Sequence, residues 1–377
     1  MGLKPGELTI VSADNFVPYE RPPLSKSFLA GKDNEDGIQI SPSDFYKSHG
    51  IELKLQSEVA AVDVKRKRLI LKSGGEFTFG KLMIATGARV RRLNVPGAKL
   101  RNVFYLRSLD DSRAIRSEVE KVKRAVVVGG GFIGMEVAAV LSQAGLEVTM
   151  VLNDERIWKR LFTPEMSNFF EGYYRERGVR LSKSTAVTEL KGDGSVKSAV
   201  LADGQTIPCE LVVAGIGVQP ETETLASSGF KIENGLVVNE YLETGYADIW
   251  AAGDVANYSD ILFQKRRRVE HWDNAVSQGQ YCARALMGER TPFKHVSYFF
   301  SDVFDLSYEY WGDSSAADQI VHRGDFSKKS FSTWWLREQT VVAAFTMNRP
   351  DQEREVAPKW IESRHKVSAK ELENWAF

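Results

Sequence analysis

The residues whose types and spacing most clearly indicate a chemical role form a glycine cluster between an apolar run and a helical pattern. The run from Ala125 to Val128 is followed directly by Gly129, Gly131 and Gly134. Gly129 permits a tight turn, Gly131 lets a pyrophosphate approach the backbone, and Gly134 lets the following helix pack closely on the strand. The free N–H groups and the positive end of that helix attract phosphate. The pattern therefore predicts a dinucleotide-binding turn.

The surrounding residues support this interpretation. A second strand is expected from Val148 to Leu152, and Asp154 lies twenty residues beyond Gly134, where an acid that binds ribose is expected. A glycine-rich turn in an unrelated α/β protein is the alternative. We favour the nucleotide site because the strand, the helix and the acid all occur in the required order.

The composition argues against several classes of protein. The chain has 377 residues, enough for two or three domains, and 43% of them are hydrophobic, as in globular proteins. Its 50 basic and 50 acidic residues cancel, so no overall field attracts nucleic acid or a membrane surface. A small molecule or another protein is the expected partner.

No targeting or membrane segment is evident in the sequence. The first residues lack a basic and apolar signal pattern, and no apolar run reaches the roughly eighteen residues that span a bilayer. We therefore expect a cytoplasmic protein. Its two cysteines, Cys209 and Cys282, lie far apart and are expected to be small buried hydrophobes, not a redox dithiol.

The chain contains an internal repeat of short strands. The first copy ends at Thr86-Gly87 and has strands at 53–55, 59–62, 68–71 and 82–85. The same order returns at 178–181, 186–190, 196–201 and 211–215. Two related dinucleotide-binding halves are therefore expected.

One piece of the first half is missing from this repeat. If Asp14 corresponds to Asp154, the last fingerprint glycine of the first half belongs about six residues upstream of Met1. In a doubly wound sheet the missing first strand lies near the middle, and its turn cradles phosphates. We therefore expect the sequence to be a fragment or a mis-started reading frame with exposed strand edges.

The remaining segments have simpler patterns. Pro18 to Lys26 contains three prolines and is predicted to be a rigid loop and not a helix. Ala247 to Asp254 is predicted to be a strand that leads into a turn with an acid. The basic run Lys265 to Arg268 fits a solvated loop as well as a phosphate contact.

The pattern of apolar and polar residues changes in the last third of the chain. Val269 to Met287 is predicted to contain a helix, with Asp273 or Asn274 near its start. Beyond it, aromatic strands indicate a small antiparallel domain that ends in a charged helical tail. The predicted strands are 298–300, 306–311, 331–336 and 341–347.

Six motifs together are highly specific, although each alone is weak. They are Pro18-Tyr19-Glu20-Arg21-Pro22-Pro23-Leu24-Ser25-Lys26, Ala85-Thr86-Gly87, the glycine fingerprint, Gly215-Ile216-Gly217, Ala252-Gly253-Asp254 and Glu270-His271-Trp272. Over essentially the whole chain they resemble the FAD-dependent pyridine nucleotide oxidoreductase superfamily. Within this superfamily, the chain resembles the branch of monodehydroascorbate reductase, bacterial ferredoxin reductases and apoptosis-inducing factor.

The resemblance implies an α/β fold with two Rossmann-like domains, for FAD and NAD(P), and a small α+β C-terminal domain. The first strand of the FAD domain is expected to be absent. The implied boundaries are 1–104 for the first part of the FAD-binding domain, 105–222 for the NAD(P)-binding domain, 223–292 for the second part of the FAD-binding domain, and 293–377 for the C-terminal domain.

The resemblance also implies roles at the flavin. Lys26 lies near the flavin and pairs with Glu136, and these two are the expected catalytic residues. Arg21 and Pro22 line the adenosine of FAD, and Asp254 binds the ribityl chain. Trp272 and its neighbours place a helix N-terminus against the pyrimidine edge. His271 receives no proton-transfer role. The other expected cofactor-binding residues are Asp14, Ala85, Thr86, Gly87, Phe132, Ile133, Gly215, Gly253 and Glu270.

The implied reaction is hydride transfer from reduced nicotinamide to FAD. Gly131, Glu136 and Gly217 hold the nicotinamide over one face of the flavin. Since isoalloxazine can release electrons singly, a ferredoxin-type iron–sulfur protein or an organic radical is a reasonable acceptor. Asp154 favours NADH because it binds a free ribose hydroxyl and repels a 2′-phosphate, although Arg156 could tolerate NADPH.

Three alternatives remain at this stage. Monodehydroascorbate reductases that resemble this chain carry a tyrosine where Phe300 stands and a basic residue where Val276 and Ser277 stand, so ascorbate radical is less favoured. The pair Ser301-Asp302 looks more like ferredoxin reductases and apoptosis-inducing factor. An NADH-sensing interaction protein is the second alternative. A thiol-disulfide reductase, the third, lacks a cysteine pair.

Overall fold

The middle of the chain forms a five-stranded parallel sheet. The computed structural model describes residues 4–376. The strand Arg124–Val128 lies at the centre of this sheet, and its residues from Ala125 to Val128 are buried, as a strand covered on both faces must be. The strand order is Arg180–Ser182, Glu147–Val151, Arg124–Val128, Leu211–Ala214 and Val103–Tyr105.

Three helices pack against this sheet, namely Leu109–Val119, Phe132–Gln143 and Pro164–Glu176. Ser108 starts the first with a capping box, in which its side chain and that of Asp111 each accept from the other's backbone N–H. Thr163 caps the third, and Pro164 occupies its first position. The helix Phe132–Gln143 instead starts at Gly131 without a side-chain cap, so its first N–H groups stay free for a ligand.

Further strands link this unit to the rest of the molecule. The antiparallel sheet Val187–Asp193, Ser195–Leu201 and Thr206–Pro208 shares a hydrophobic core with one face of the central sheet. The strand Ala88–Val90 pairs antiparallel with Val218–Pro220. This short ribbon carries the chain between the first two units.

The first unit contains two separate parallel pairs. Leu8–Val11 pairs with Ile51–Lys54, and Leu82–Ile84 pairs with Ile249–Ala251. In the complete central sheet, a middle strand lies between two such pairs, but no strand within residues 4–376 occupies this place in the first unit. The expected gap at the middle of this sheet is therefore present in the described part of the chain.

The other elements of the first unit surround these pairs. The strands are Val59–Asp63, Arg68–Leu71, Glu76–Thr78, Leu236–Val237, Ala256–Asp260 and Lys265–Arg267. The α-helices are Ser43–Ser48, Glu223–Ser227 and Trp272–Leu286, and the 3₁₀ turns are Pro22–Ser25, Asp36–Ile38 and Gly253–Val255.

The C-terminal part is a five-stranded antiparallel sheet. The strand order is Tyr298–Val303, Leu306–Gly312, Thr340–Met347, Ser330–Arg337 and Gln319–Asp325. The helices Asp351–Ser363 and Ala369–Glu373 follow it. The edge strand Tyr298–Val303 contacts the helix Phe132–Gln143, so the C-terminal sheet reaches the glycine turn.

Most predicted strands agree with the structure within a few residues, but two local predictions were wrong and one strand was missed. The segment predicted as a rigid loop contains a 3₁₀ turn, because two prolines occupy its first positions. The helix predicted with Asp273 or Asn274 near its start is confirmed as Trp272–Leu286, with His271 as its N-cap. The strand Gln319–Asp325 was missed because it is largely polar. In the described residues, no helix is long and apolar enough to cross a membrane.

The basic run was also predicted wrongly, because it is neither a solvated loop nor free to bind phosphate. Lys265–Arg267 is a strand paired with Ala256–Asp260. Arg267 is only 8% exposed, and its guanidinium lies 2.8 Å from both Asp260 Oδ2 and Asp313 Oδ2. The basic run therefore joins the first unit to the C-terminal sheet through buried charges.

We expect Arg267→Ala to lower the free energy of unfolding by about 3–5 kcal/mol, because it leaves the buried carboxylate of Asp260 without its cation, whereas Asp313 keeps Lys265. Chemical denaturation measures the change. Arg66→Ala is the control, since Arg66 is 72% exposed and its partner is 3.8 Å away. It should cost less than about 1 kcal/mol. Equal effects of the two substitutions would contradict this account.

The helix Phe132–Gln143 lies unusually close to the strand before it. A Cβ placed on Gly134 would be 2.2 Å from the carbonyl oxygen of Gly129. That oxygen belongs to the backbone and cannot rotate away. Gly134 therefore sets the distance between the helix and the glycine turn, as predicted from the sequence.

Gly134→Ala should lower the free energy of unfolding by about 1–3 kcal/mol because the extra methyl group forces the helix away from the turn. It should also weaken NADH binding, measured by titration calorimetry. Gly172→Ala is the matched control in the helix Pro164–Glu176, where a Cβ meets no heavy atom within 4 Å. This change should stabilise the protein by about 0.5–1 kcal/mol. Destabilisation by both would point to general helix sensitivity.

Candidate functional site

The glycine turn has the shape of a phosphate site. Gly129 has a φ of +115°, and a Cβ there would lie 2.2 Å from the carbonyl oxygen of Gly215. A Cβ on Gly131 would meet no heavy atom within 4 Å, so open space lies beside its backbone. Gly131 is also the uncapped N-terminus of the helix. The turn thus combines access, free N–H donors and a positive helix end.

The second glycine motif lies against the first. A Cβ on Gly215 would be 3.4 Å from Gly134 N and 3.8 Å from the side chain of Ile133. Gly217 has a φ of +94°, which favours glycine, and its carbonyl accepts from Arg91 N at 2.9 Å. Both motifs therefore line one edge of the central sheet.

Aromatic rings surround the start of the helix. The ring of Phe132 lies 5.8 Å from that of Trp158 and 6.4 Å from that of Phe299. Phe299 also contacts His271, with 4.9 Å between the ring centroids. This cluster connects the glycine turn to the N-terminus of the helix Trp272–Leu286.

The acid expected at the ribose is in a suitable position. Asp154 follows the strand Glu147–Val151 and is exposed. The guanidinium of Arg156 donates to the carbonyl of Phe162 at 2.5 Å and to Ser167 Oγ at 3.2 Å. Arg156 is therefore occupied by the start of the helix Pro164–Glu176.

The two side chains expected at the junction of the nucleotides are in contact. Lys26 Nζ lies 2.9 Å from Glu136 Oε1, although the residues are 110 positions apart. Lys26 follows the 3₁₀ turn Pro22–Ser25, and Glu136 is in the first turns of the helix at the glycine turn. Glu136 is 1% exposed and Lys26 is 15% exposed, so this is a buried ion pair and not a surface contact.

Two serines complete the surroundings of Glu136. Ser25 Oγ donates to Oε2, and Ser301 Oγ donates to Oε1 at 2.6 Å. The ring of Phe300 lies 5.3 Å from Lys26 Nζ, which suits a cation–π contact. The carboxylate therefore has donors on both oxygens, as a buried charge requires.

A second cluster brings together residues expected at the FAD. Arg107 Nη2 lies 2.9 Å from Asp254 Oδ2, and Arg21 Nη1 donates to the carbonyl of Arg107 at 2.5 Å. A Cβ on Gly87 would lie 3.1 Å from Arg107 Nη2. Pro22 follows Arg21 and opens the 3₁₀ turn. Arg107 thus lies at the centre of three motifs that are distant in sequence.

Two other expected residues have structural partners. Asp14 accepts from Tyr19 OH at 2.9 Å and from Phe16 N at 3.3 Å. Thr86 Oγ1 donates to the carbonyl of Glu221 at 2.9 Å. Ala85 and Thr86 are exposed and follow the strand Leu82–Ile84, at the edge of the first unit.

The N-terminus of the helix Trp272–Leu286 carries buried polar atoms without protein partners. Among the described residues, these atoms are His271 Nδ1, Asn274 Oδ1 and Gln278 Nε2. Gln278 Oε1 accepts from Gly253 N at 2.8 Å, which connects the helix to the Ala252-Gly253-Asp254 motif. Trp272 is 41% exposed. Glu270 lies 2.6 Å from Arg268 Nη1.

Burial lowers the pKa of His271 to about 4. Its imidazole is therefore neutral at pH 7. Burial has the opposite effect on the thiols of Cys209 and Cys282, whose pKa it raises to about 12. Both cysteines are free and buried, as predicted.

Sequence reasoning missed Arg107, Ser25 and Ser301 as site residues. Arg107 lies between the strand Val103–Tyr105 and the capped helix Leu109–Val119. Its position just after a strand is the one sequence feature that could have marked it as a site residue. Ser25 is inside a motif that was singled out for its prolines and lysine. Ser301 was noted with Asp302 only as a family likeness, and its contact with Glu136 could not be predicted because the two residues are 165 positions apart.

The described residues fit one dinucleotide at the glycine turn and the flavin end of a second. The glycine turn offers a pyrophosphate site, and Asp154 follows it at the ribose position. Orphaned polar atoms beside Gly253 suit the polar edge of a flavin, and the Arg107–Asp254 pair lies next to the proline-rich turn. The buried Lys26–Glu136 pair connects these two regions.

Comparisons with known proteins agree with this arrangement. The family model described as pyridine nucleotide-disulphide oxidoreductase matches residues 1–279, and the model described as reductase C-terminal matches residues 298–377. A ferredoxin reductase for the CYP199A2 system from Rhodopseudomonas palustris superposes with a TM-score of 0.94 at 34% identity, over 98% of this chain and 91% of that one.

Two curated relatives are similar over most of their length. The 5,5′-dehydrodivanillate O-demethylase ferredoxin reductase subunit of Sphingobium sp. is 38% identical over 91% of this chain and 84% of its own. Monodehydroascorbate reductase of Pisum sativum is 34% identical over 94% of this chain and 88% of its own. The chain therefore belongs to the pyridine nucleotide-disulphide oxidoreductase family and is an oxidoreductase that uses FAD and NAD(P)H.

Proposed function

We propose that this protein transfers electrons from NADH, through FAD, to a small iron–sulfur redox protein. The observation that carries this proposal is the buried ion pair between Lys26 and Glu136, which joins the helix at the glycine turn to the proline-rich turn. When bound, FAD accepts a hydride from the nicotinamide and can release electrons singly.

The residues of the chain hold and polarise this junction. The Lys26 ammonium stabilises the negative charge that develops on a reduced flavin, and Glu136 holds the ammonium in place. The helix N-terminus at Trp272 adds a positive dipole end at the other side. We therefore propose for Lys26 and Glu136 the catalytic and cofactor-binding roles that were expected from the sequence.

An iron–sulfur acceptor is supported by the relatives and by local chemistry. Two of the similar proteins are named ferredoxin reductases. An open groove of about 310 Å³ beside Lys26 has a largely apolar lining that includes Phe300 and Val140, with Lys32 and Asp302 also in its wall. Such a groove suits a protein surface, and we propose that the acceptor docks there.

Ascorbate radical is the second candidate, since a monodehydroascorbate reductase is among the relatives. The residues near the site are less suitable for it. Phe300 lacks a hydroxyl, and Val276, which is 37% exposed, offers no positive charge to an anionic radical. We therefore favour the protein acceptor.

Steady-state assays with purified FAD-loaded protein test the acceptor. With NADH as donor, we expect kcat/KM for a [2Fe–2S] ferredoxin to exceed that for ascorbate radical by at least ~10-fold, because Phe300 and Val276 offer the anionic radical neither a hydroxyl nor a positive charge. A preference for the radical would support the second candidate. Slow turnover of both, with NADH-dependent dimerisation, would instead support a sensing role.

NADH is the proposed donor because of the charges around its expected ribose. The exposed carboxylate of Asp154 suits a free 2′-hydroxyl and repels a phosphate. Arg156, the residue that could offset this repulsion, is held by Phe162 and Ser167. Discrimination against NADPH is therefore expected.

Asp154→Ser should raise KM for NADH by about tenfold, because a hydrogen bond to a charged group is lost, and should reduce the preference for NADH over NADPH. Steady-state kinetics with both donors measure this. Glu155→Gln removes a neighbouring exposed charge that pairs with Lys159 and serves as the control. If both variants change the preference for NADH equally, the overall negative charge of this region, and not a contact with the ribose, determines that preference.

We also propose the domain boundaries and the compartment. The boundaries are those expected above, at 104/105, 222/223 and 292/293. The sheets described for the three units support this division. A cytoplasmic location is supported by two free cysteines, since reducing compartments preserve thiols.

A further inference from the structure

The carboxylate of Glu136 connects its own helix, Phe132–Gln143, to two other elements. Its partners are Ser25 in the 3₁₀ turn of the first unit, Lys26 directly after that turn, and Ser301 in the edge strand of the C-terminal sheet. Ser25, Glu136 and Ser301 are all at most 2% exposed. One buried charge therefore binds the first, middle and last parts of the chain together.

We propose that Ser301 is a positioning residue that holds the Lys26–Glu136 pair at the flavin. The proposal rests on the function proposed above for Lys26. Ser301 touches neither nucleotide in this account and acts through Glu136. It makes the position of the ammonium depend on the C-terminal sheet as well as on the two nucleotide-binding units.

Ser301 and Lys26 share one carboxylate oxygen of Glu136. Ser301 Oγ and Lys26 Nζ both lie on Glu136 Oε1, at 2.6 and 2.9 Å. Ser25 occupies the other oxygen. Without Ser301, Oε1 keeps only Lys26 among these donors, and the carboxylate loses its direct link to the C-terminal sheet. The side chain of Glu136 can then rotate with its lysine partner.

The surroundings of Ser301 favour this role. Tyr308 is the cross-strand partner of Ser301 and is 1% exposed. Burial raises the pKa of Tyr308, so it is a neutral phenol and adds no competing charge. Phe300, the residue before Ser301, places its ring 5.3 Å from Lys26 Nζ. Neighbouring residues of one strand therefore contact both members of the ion pair.

A purely structural role is the alternative, and the same sheet offers a matched control. Ser332 is also fully buried and also donates to a buried glutamate, Glu353, which lies in the helix Asp351–Ser363. That pair lies outside the nucleotide site. Ser332→Ala therefore reproduces the loss of a buried serine–glutamate hydrogen bond without touching Glu136.

The test uses FAD-loaded full-length protein and the variants Ser301→Ala, Ser301→Thr, Ser332→Ala and Lys26→Met. Stopped-flow absorbance gives the limiting rate of flavin reduction by NADH and the half-saturating NADH concentration. Spectroelectrochemistry gives the midpoint potential of the bound FAD, and thermal melting reports stability. The last two readouts do not depend on turnover.

Ser301→Ala should lower the limiting rate by about tenfold, because misplacing a group by a small distance costs far more in rate than in binding. The half-saturating NADH concentration should change less than twofold. The potential should become more negative, and a tenfold weaker stabilisation of the reduced form corresponds to about 30 mV for a two-electron couple. Ser301→Thr, which keeps the hydroxyl, should restore most of the limiting rate and most of the midpoint potential.

Ser332→Ala should lower the melting temperature and leave the rate and potential unchanged. Equal effects of Ser332→Ala and Ser301→Ala on the rate, or a wild-type rate and potential for Ser301→Ala, would overturn the proposal. Lys26→Met separates this result from a failure of the proposed function. If Lys26→Met also behaves as wild type, the role of the lysine is wrong. If only Lys26→Met is impaired, the serine is not a positioning residue.

Discussion

The structure depends most on the burial of one negative charge. Removing a carboxylate from water costs several kcal/mol, and the cost is offset only when cations and hydrogen-bond donors surround it. Glu136 satisfies this requirement with a lysine and two serines from elements that are at least 110 residues away in sequence. The carboxylate can be accommodated only when all three elements are in place. The same contacts that solve this electrostatic problem fix the ammonium that we propose to act on the flavin.

Other buried or half-buried charges follow the same physical rule. Arg107 pairs with Asp254 and receives the guanidinium of Arg21 on its carbonyl, so it joins a strand end, a turn and the proline-rich segment. Arg267 joins the first unit to the C-terminal sheet through Asp260 and Asp313. In this protein, contacts between units rely on specific charge pairs as well as on apolar packing. Such contacts define orientation because charged hydrogen bonds are directional.

The glycine turn shows how backbone geometry and function coincide. Gly129 and Gly134 are required by close approaches to backbone oxygens, whereas Gly131 faces open space. Gly134 therefore lets the helix come close to the strand, Gly129 lets the turn pass close to Gly215, and Gly131 leaves room for a ligand. Since the helix that starts there also carries Glu136, the position of the turn determines where the ion pair can form.

Much of this could be predicted from the sequence, because it depends on local rules. The glycine spacing, the strand repeat, the aromatic C-terminal strands and the burial of both cysteines follow from backbone sterics and hydrophobic periodicity. The motif resemblance correctly brought Lys26 and Glu136 together. The roles assigned to the individual site residues remain predictions.

Other features were decided only by the tertiary structure. The basic run at Lys265–Arg267 looked solvated because charge patterns do not reveal which carboxylates face them across a sheet. The strand Gln319–Asp325 is polar and is recruited by its neighbour Ser330–Arg337. Arg107, Ser25 and Ser301 became site residues through contacts over 86 to 165 positions, which no local pattern encodes. Local sequence determined the elements, whereas long-range electrostatics between side chains determined how they meet.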